Sequence, residues 1–259
     1  MDFWSVLFTN LDTNLLVFAR ILGIFAFNPL LSRRNVPAMV RVIVSLAITA
    51  AALTAIDVSP VVIGSAGEFA VLILKEMLIG VTLGFITQLF LSSTLLSGEI
   101  MDMQSGLGMA KIYDPASGVQ MPLMGSITSY MLYLMFFASN AHLTYVRLFV
   151  ISFDIIPIGY ERLNPNLGMS VMNYFAAVLV LGLKLAMPML AAQIIMEICV
   201  GILMKAVPQI QVMVVNMQMK LLFGLFLAVV LCPVFANFLD GLLDMMNEAV
   251  ANVMTSMTV

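Results

Sequence analysis

Apolar residues come in long runs along this chain, separated by short polar interruptions. The runs fall at about 14–32, 42–56, 68–98, 123–156, 167–204 and 212–238. They do not alternate residue by residue, so the pattern predicts helices rather than the strands of a membrane barrel. A helix that crosses a bilayer takes about 20 residues. The second run is short and the third to fifth are long, so six plain spans do not fit, and some helices are expected to be tilted, broken or partly outside the bilayer. The reading is an all-α integral membrane protein of about six long, partly broken hydrophobic helices in hairpins. After Pro233 the tail NFLDGLLDMMNEAVANVMTSMTV predicts a further amphipathic helix with its acidic residues on one side.

The polar interruption at mid-chain, MDMQSGLGMAKIYDP over 101–115, breaks the pattern most strongly. Glycines at 98, 106, 108, 118 and 125, with Pro115 and Pro122, argue against continuous helix across 98–125. Its candidate residues are Gly106, Leu107, Gly108, Met109, Lys111, Tyr113, Asp114, Pro115, Met121 and Pro122. Two readings compete: a solvated connection, or a segment that enters a cavity. The chain has 23 Met, and Met101, Met103, Met109, Met121 and Met124 cluster around this break, where a soft side chain suits a surface that must adapt to its contents. Two further features bear on helix geometry. Pro188 lies four residues after Lys184 inside the fifth run and predicts a kink or break there. Gly80 and Gly84 in the third run allow another backbone to come close.

Composition agrees with the pattern: 62% of the residues are hydrophobic and 10% charged, and the mean hydropathy is +1.09, far from the balance of a soluble domain. Basic residues set the orientation. Arg33, Arg34 and Arg41 crowd the first connection and Lys205 the fifth, whose tip carries Pro208 and Gln209; the second connection offers Asp57 and Glu68 instead. The positive-inside rule then places those basic connections on the cytoplasmic side and both termini on the other. The start, MDFWSVLFTNLD, lacks the charged leader and cleavage pattern of a signal peptide.

Lys75, Glu76, Lys184, Glu197 and Lys220 lie within apolar runs, and each needs a partner or water. If the last two runs form a hairpin about the tip at 205–211, positions 197 and 220 face each other, which makes Glu197 and Lys220 a candidate ion pair or subunit contact. Cys199 and Cys232 sit in apolar runs and read as small hydrophobes. The single His and the scattered carboxylates form no metal-ligand set and no nucleophile–base pair. No cofactor, metal or catalytic residue is expected. A net charge of −3 offers no face to nucleic acid.

Several short motifs, in order, carry a resemblance. They are Gln104–Ser105–Gly106 with Tyr113–Asp114–Pro115, Asn140–Ala141–His142, Ser152–Phe153 with Pro157–Ile158–Gly159, and Leu183–Lys184–Leu185–Ala186–Met187–Pro188. Glu197 with Gly201, Pro208–Gln209–Ile210 with Val212, and Lys220 complete the set. Together they resemble the FliR/SctT family of type III protein export gates along nearly the whole chain. The resemblance implies a non-enzymatic bacterial inner-membrane subunit of the flagellar gate. It implies a FliP-like part over 1–166, containing a plug loop over about 106–122 that closes the lumen, and a FliQ-like hairpin and tail over 167–259. Its implied partners are FliP, FliQ, FlhB and FlhA-type subunits, unfolded protein substrates and membrane lipid. Gln211 stands where the family often has Asn, and Gln218 where a Pro often precedes the lysine at Lys220.

A different class of function competes with this one. A small-solute secondary transporter would use Lys75, Glu76 and Lys184 beside a broken helix at Pro188 as a midplane site. Only the fifth run has such a proline, and no matching half is present in the sequence.

Overall fold

The computed structural model of the chain describes residues 11–26, 37–56, 61, 63–108, 122–159, 164–165, 167–206 and 212–258. Among these the regular structure is all helix. The helices are α1 (Leu11–Ala26), α2 (Ala38–Ala55), α3 (Ala66–Ser105), α4 (Leu123–Ala138), α5 (Ala141–Ile155), α6 (Leu167–Ala206), α7 (Val212–Val230) and α8 (Cys232–Met257). Helices α2, α3 and α6 are long and apolar enough to cross a membrane; the count rises to five if the broken pairs α4–α5 and α7–α8 each make one span.

Local chemistry explains the boundaries. At the start of α3, Ser65 Oγ accepts from the Glu68 amide at 3.3 Å while the Glu68 carboxylate accepts from the Gly64 amide at 2.9 Å. This close relative of a capping box satisfies donors that a helix start leaves unpaired. The fourth apolar run, continuous in sequence, is interrupted at Ser139–Asn140, where Asn140 adopts φ 58°. Asn tolerates this left-handed conformation better than other side chains. The fifth run is not interrupted. α6 continues through Pro188, so of the kink or break expected at Lys184 and Pro188 the break is corrected: the helix does not end there. A proline removes one amide donor, which frees only the Lys184 carbonyl, on an exposed residue, and the remaining turns carry the helix on. α3 likewise runs past Gly98 to Ser105, so the first five residues of the polar stretch are helical.

The chain forms two compact units. The first contains 1–89, 140–175 and 244–259; the second contains 90–139 and 176–243. In the first unit, α1 buries Val17, Ile21 and Ile24 and α3 buries Ile79, Leu83 and Ile86, both at the three-and-four spacing of one helix face. Small residues let these helices meet closely. A methyl group on Gly80 would stand 2.1 Å from the Arg20 carbonyl oxygen, and one on Gly84 would stand 2.4 Å from that of Ile24. Phe149 of α5 packs edge-on against Phe25 at 5.8 Å and Tyr145 at 4.2 Å.

In the second unit α3 and α4 cross through small and hydroxylated residues. Thr94 and Ser129 share a hydrogen bond at 2.9 Å, and Thr128 Oγ1 donates to the Thr94 carbonyl at 3.3 Å. Lipid tails are as apolar as Leu, so close packing and such hydroxyl contacts take the place of hydrophobic burial.

Candidate functional site

Of the residues expected at the central break, Gly106, Leu107, Gly108 and Pro122 are described, at the end of α3 and the start of α4. Ser105 closes the helix, and Gly106 follows at φ 78°, a conformation open to glycine without strain. The chain then turns through Leu107, and the Gly108 amide donates back to the Asp102 carbonyl at 3.0 Å. The chain returns at Pro122, which precedes α4 and provides no side-chain cap. Two of the amides left unpaired at the start of α4 are met from elsewhere: the Asp102 carboxylate accepts from the Leu123 amide at 2.5 Å and from the Met124 amide at 3.1 Å. A carboxylate here also meets the positive end of the α4 dipole. One turn before Asp102, α3 and α4 touch backbone to backbone: a methyl group on Gly98 would stand 2.0 Å from Gly125 Cα.

The α6–α7 hairpin of the same unit meets α3 through polar groups. Lys220 Nζ lies 2.7 Å from Glu197 Oε1, and Gln104 Nε2 donates to Glu197 Oε2 at 3.4 Å. The Glu197 side chain is 43% exposed and that of Lys220 20%, so the pair lies at a partly open position. One helical turn further along, Gly224 faces Gln193: a methyl group at 224 would stand 2.9 Å from Gln193 Nε2 and from Ser105 Cβ. Gln193 is fully buried, and neither amide atom has a partner among the described residues.

A second polar centre lies in the first unit. Arg20 is wholly buried and its Nε donates to Glu76 Oε2 at 2.6 Å. Its Nη1 donates to the Ser152 carbonyl at 2.9 Å, and the guanidinium lies 4.4 Å from the centre of the Phe153 ring. The other Glu76 oxygen accepts from the Gly159 amide at 3.1 Å. This group joins α1, α3 and the end of α5. Glu76 is therefore committed to Arg20 and Gly159, and α6 has no break.

Of the remaining candidates, Arg41 lies half-buried in the first turn of α2, and Lys205 is exposed in the last turn of α6. Met109, Lys111, Tyr113, Asp114, Pro115, Met121, Arg33, Arg34, Pro208 and Gln209 lie outside the described residues. Met101 and Met124 are buried in the helix packing, whereas Met103 is 69% exposed. The adaptable-surface reading therefore does not extend to Met101 and Met124, which fill the core. Sequence reasoning missed Arg20 and Asp102. Arg20 stood inside the first apolar run, where its charge was itself the signal for a buried partner.

Residues 11–246 match the family described as bacterial export proteins, family 1. The chain is 30% identical over 239 residues to the flagellar biosynthetic protein FliR of Escherichia coli (strain K12), covering 92% of this chain and 91% of that one. It is 27% identical to FliR of Bacillus subtilis (strain 168), with 93% of each chain covered. It is 26% identical to FliR of Aquifex aeolicus (strain VF5), with 86% of each covered.

Proposed function

The chain belongs to the bacterial export proteins, family 1, and within it to the FliR group, and on that premise we propose that it forms, with FliP and FliQ, a helical protein-conducting channel in the bacterial inner membrane. It is a membrane subunit of the flagellar export apparatus. The observation that carries the reading is the match across 11–246, which spans every described helix from α1 into α8.

In this reading the central connection over about 106–122 closes the lumen until an unfolded substrate is engaged. In it, Lys111 and Asp114 contact the channel wall and help hold the closed state. The part over 1–166 corresponds to FliP and the part over 167–259 to FliQ. Glu197 and Lys220 fix the hairpin and face a neighbouring subunit. Arg33, Arg34, Arg41, Lys205, Pro208 and Gln209 mark the cytoplasmic tips, near FlhB and FlhA-type subunits, and both termini are periplasmic. No chemistry is asked of the chain: its work is to place the polar central segment in the lumen. The energy for export comes from other subunits, since the sequence has no phosphate-binding loop.

Purification with and without partners tests this. The chain co-expressed with FliP- and FliQ-like proteins is expected to elute as one stable complex, and the chain alone in vesicles is expected to move no solute. Solute uptake by the purified single chain, with no complex formed, would refute the reading.

A further inference from the structure

We infer that Lys184, exposed near the middle of α6, is a docking point for a helix of a neighbouring subunit, and that this helix brings a carboxylate to its ammonium group. That the neighbour is a subunit of the export assembly rests on the reading above; the chemistry of the contact does not.

A charge inside an apolar run is ordinarily paired, or faces protein or water. Glu76 is met by Arg20, and Glu197 by Lys220. The Lys184 side chain is exposed and has no ion pair or hydrogen bond among the described residues. Its stripe of the helix is apolar: at the three-, four- and seven-residue spacings that share one face, Ala177, Val180, Met187 and Ala191 are all exposed. Length favours a protein neighbour over lipid for part of this face. α6 has 40 residues, about 60 Å at 1.5 Å per residue, against roughly 30 Å of bilayer hydrocarbon. Lipid tails therefore reach only about half of the helix, and the rest of its apolar surface needs another chain. Two local features point the same way. Pro188 has no amide to donate, so the Lys184 carbonyl lacks its helical partner. A lipid phosphodiester only accepts hydrogen bonds and leaves that carbonyl unmet, whereas a helix with a carboxylate and a hydroxyl or amide side chain answers both groups. Ala177 and Ala191, each two turns from Lys184, keep the face low on either side, and small residues let membrane helices approach closely. The occupant is an apolar helix that carries one carboxylate at the level of Lys184.

A hydrophobic carbodiimide applied to the purified complex of the full chain with its partner subunits tests the pairing, because it joins an amine to a carboxylate only where the two are in contact. Mass spectrometry is expected to find Lys184 linked to a carboxylate of another subunit. Lys184→Glu is then expected to lose co-purification of that subunit, and Lys184→Arg, which keeps the charge, to retain it. Changing the linked carboxylate to lysine in the partner is expected to restore the complex with Lys184→Glu. This swap guards against simple misfolding, since a fold lost in α6 is not regained by a change in another chain. The inference is overturned if Lys184 gives no link to another subunit. It is also overturned if Lys184→Met leaves the complex intact but loses a tightly bound phospholipid, which would make the contact a lipid phosphate; in either case a complex that still forms leaves the reading of function standing. If the wild-type chain forms no complex with FliP- and FliQ-like proteins, that reading has failed, and the inference falls with it.

Discussion

At the scale of single residues, the most consequential contact is the buried Arg20–Glu76 pair. Removing one partner of a buried pair strands the other charge, at a cost of about 3–5 kcal/mol, whereas well-packed apolar replacements of both can be neutral. Glu76→Leu alone is therefore expected to lower thermal stability of the purified complex sharply, and Arg20→Met with Glu76→Leu to recover most of it. No recovery in the double variant would mean that the hydrogen bonds to Ser152 and Gly159 matter more than the pairing. Glu197 and Lys220 are more open, and exposed pairs contribute about 0–1 kcal/mol. Their effect is expected in assembly: Glu197→Gln reduces co-purification with partner subunits, and the swap Glu197→Lys with Lys220→Glu restores it. Meeting of these two residues was legible from spacing, because a hairpin tip near 205–211 sets their register. The role of Asp102 was not, since its partners are backbone amides 21 and 22 residues away that carry no side-chain signature.

Helix boundaries followed the apolar runs where hydrophobicity alone decided them, and departed where polar contacts took over. α3 outlasts its apolar run because Asp102, Gln104 and Ser105 all find hydrogen-bond partners within their unit. The α4–α5 break was hidden inside an apolar run, since its cause is the left-handed backbone of one residue, Asn140. Asn140→Gly is expected to be tolerated, while Asn140→Val should cost about 1–2 kcal/mol from left-handed strain, seen as a lower melting temperature. The Gly80–Gly84 spacing gave notice of a close approach but could not name the partner, which is α1. Gly80→Ala is expected to force α1 from α3 and destabilise the complex by about 1–3 kcal/mol or more. Gly201→Ala, where nothing lies within 4 Å, should be silent in the same melt. Equal effects at the two glycines would show that backbone contact at Gly80 is not what matters.

For the molecule as a whole, the apolar surface is far from internally satisfied. Only 17% of the spanning window of α2, 39% of that of α3 and 33% of that of α6 is buried within the chain. Lipid or neighbouring subunits must cover the rest, in keeping with a chain that works as part of an assembly. The class of protein was plain from hydropathy. Its division into two compact units was not, because each unit draws on separated stretches of sequence and no polar linker marks the changeover. The central claim, that the mid-chain connection seals a protein-conducting channel, is tested most directly by ion conductance in cells that express all partner subunits and a chain lacking Gly106–Val119. The account predicts an assembled complex with a leaky membrane. An assembled complex that exports normally behind a tight membrane would contradict it.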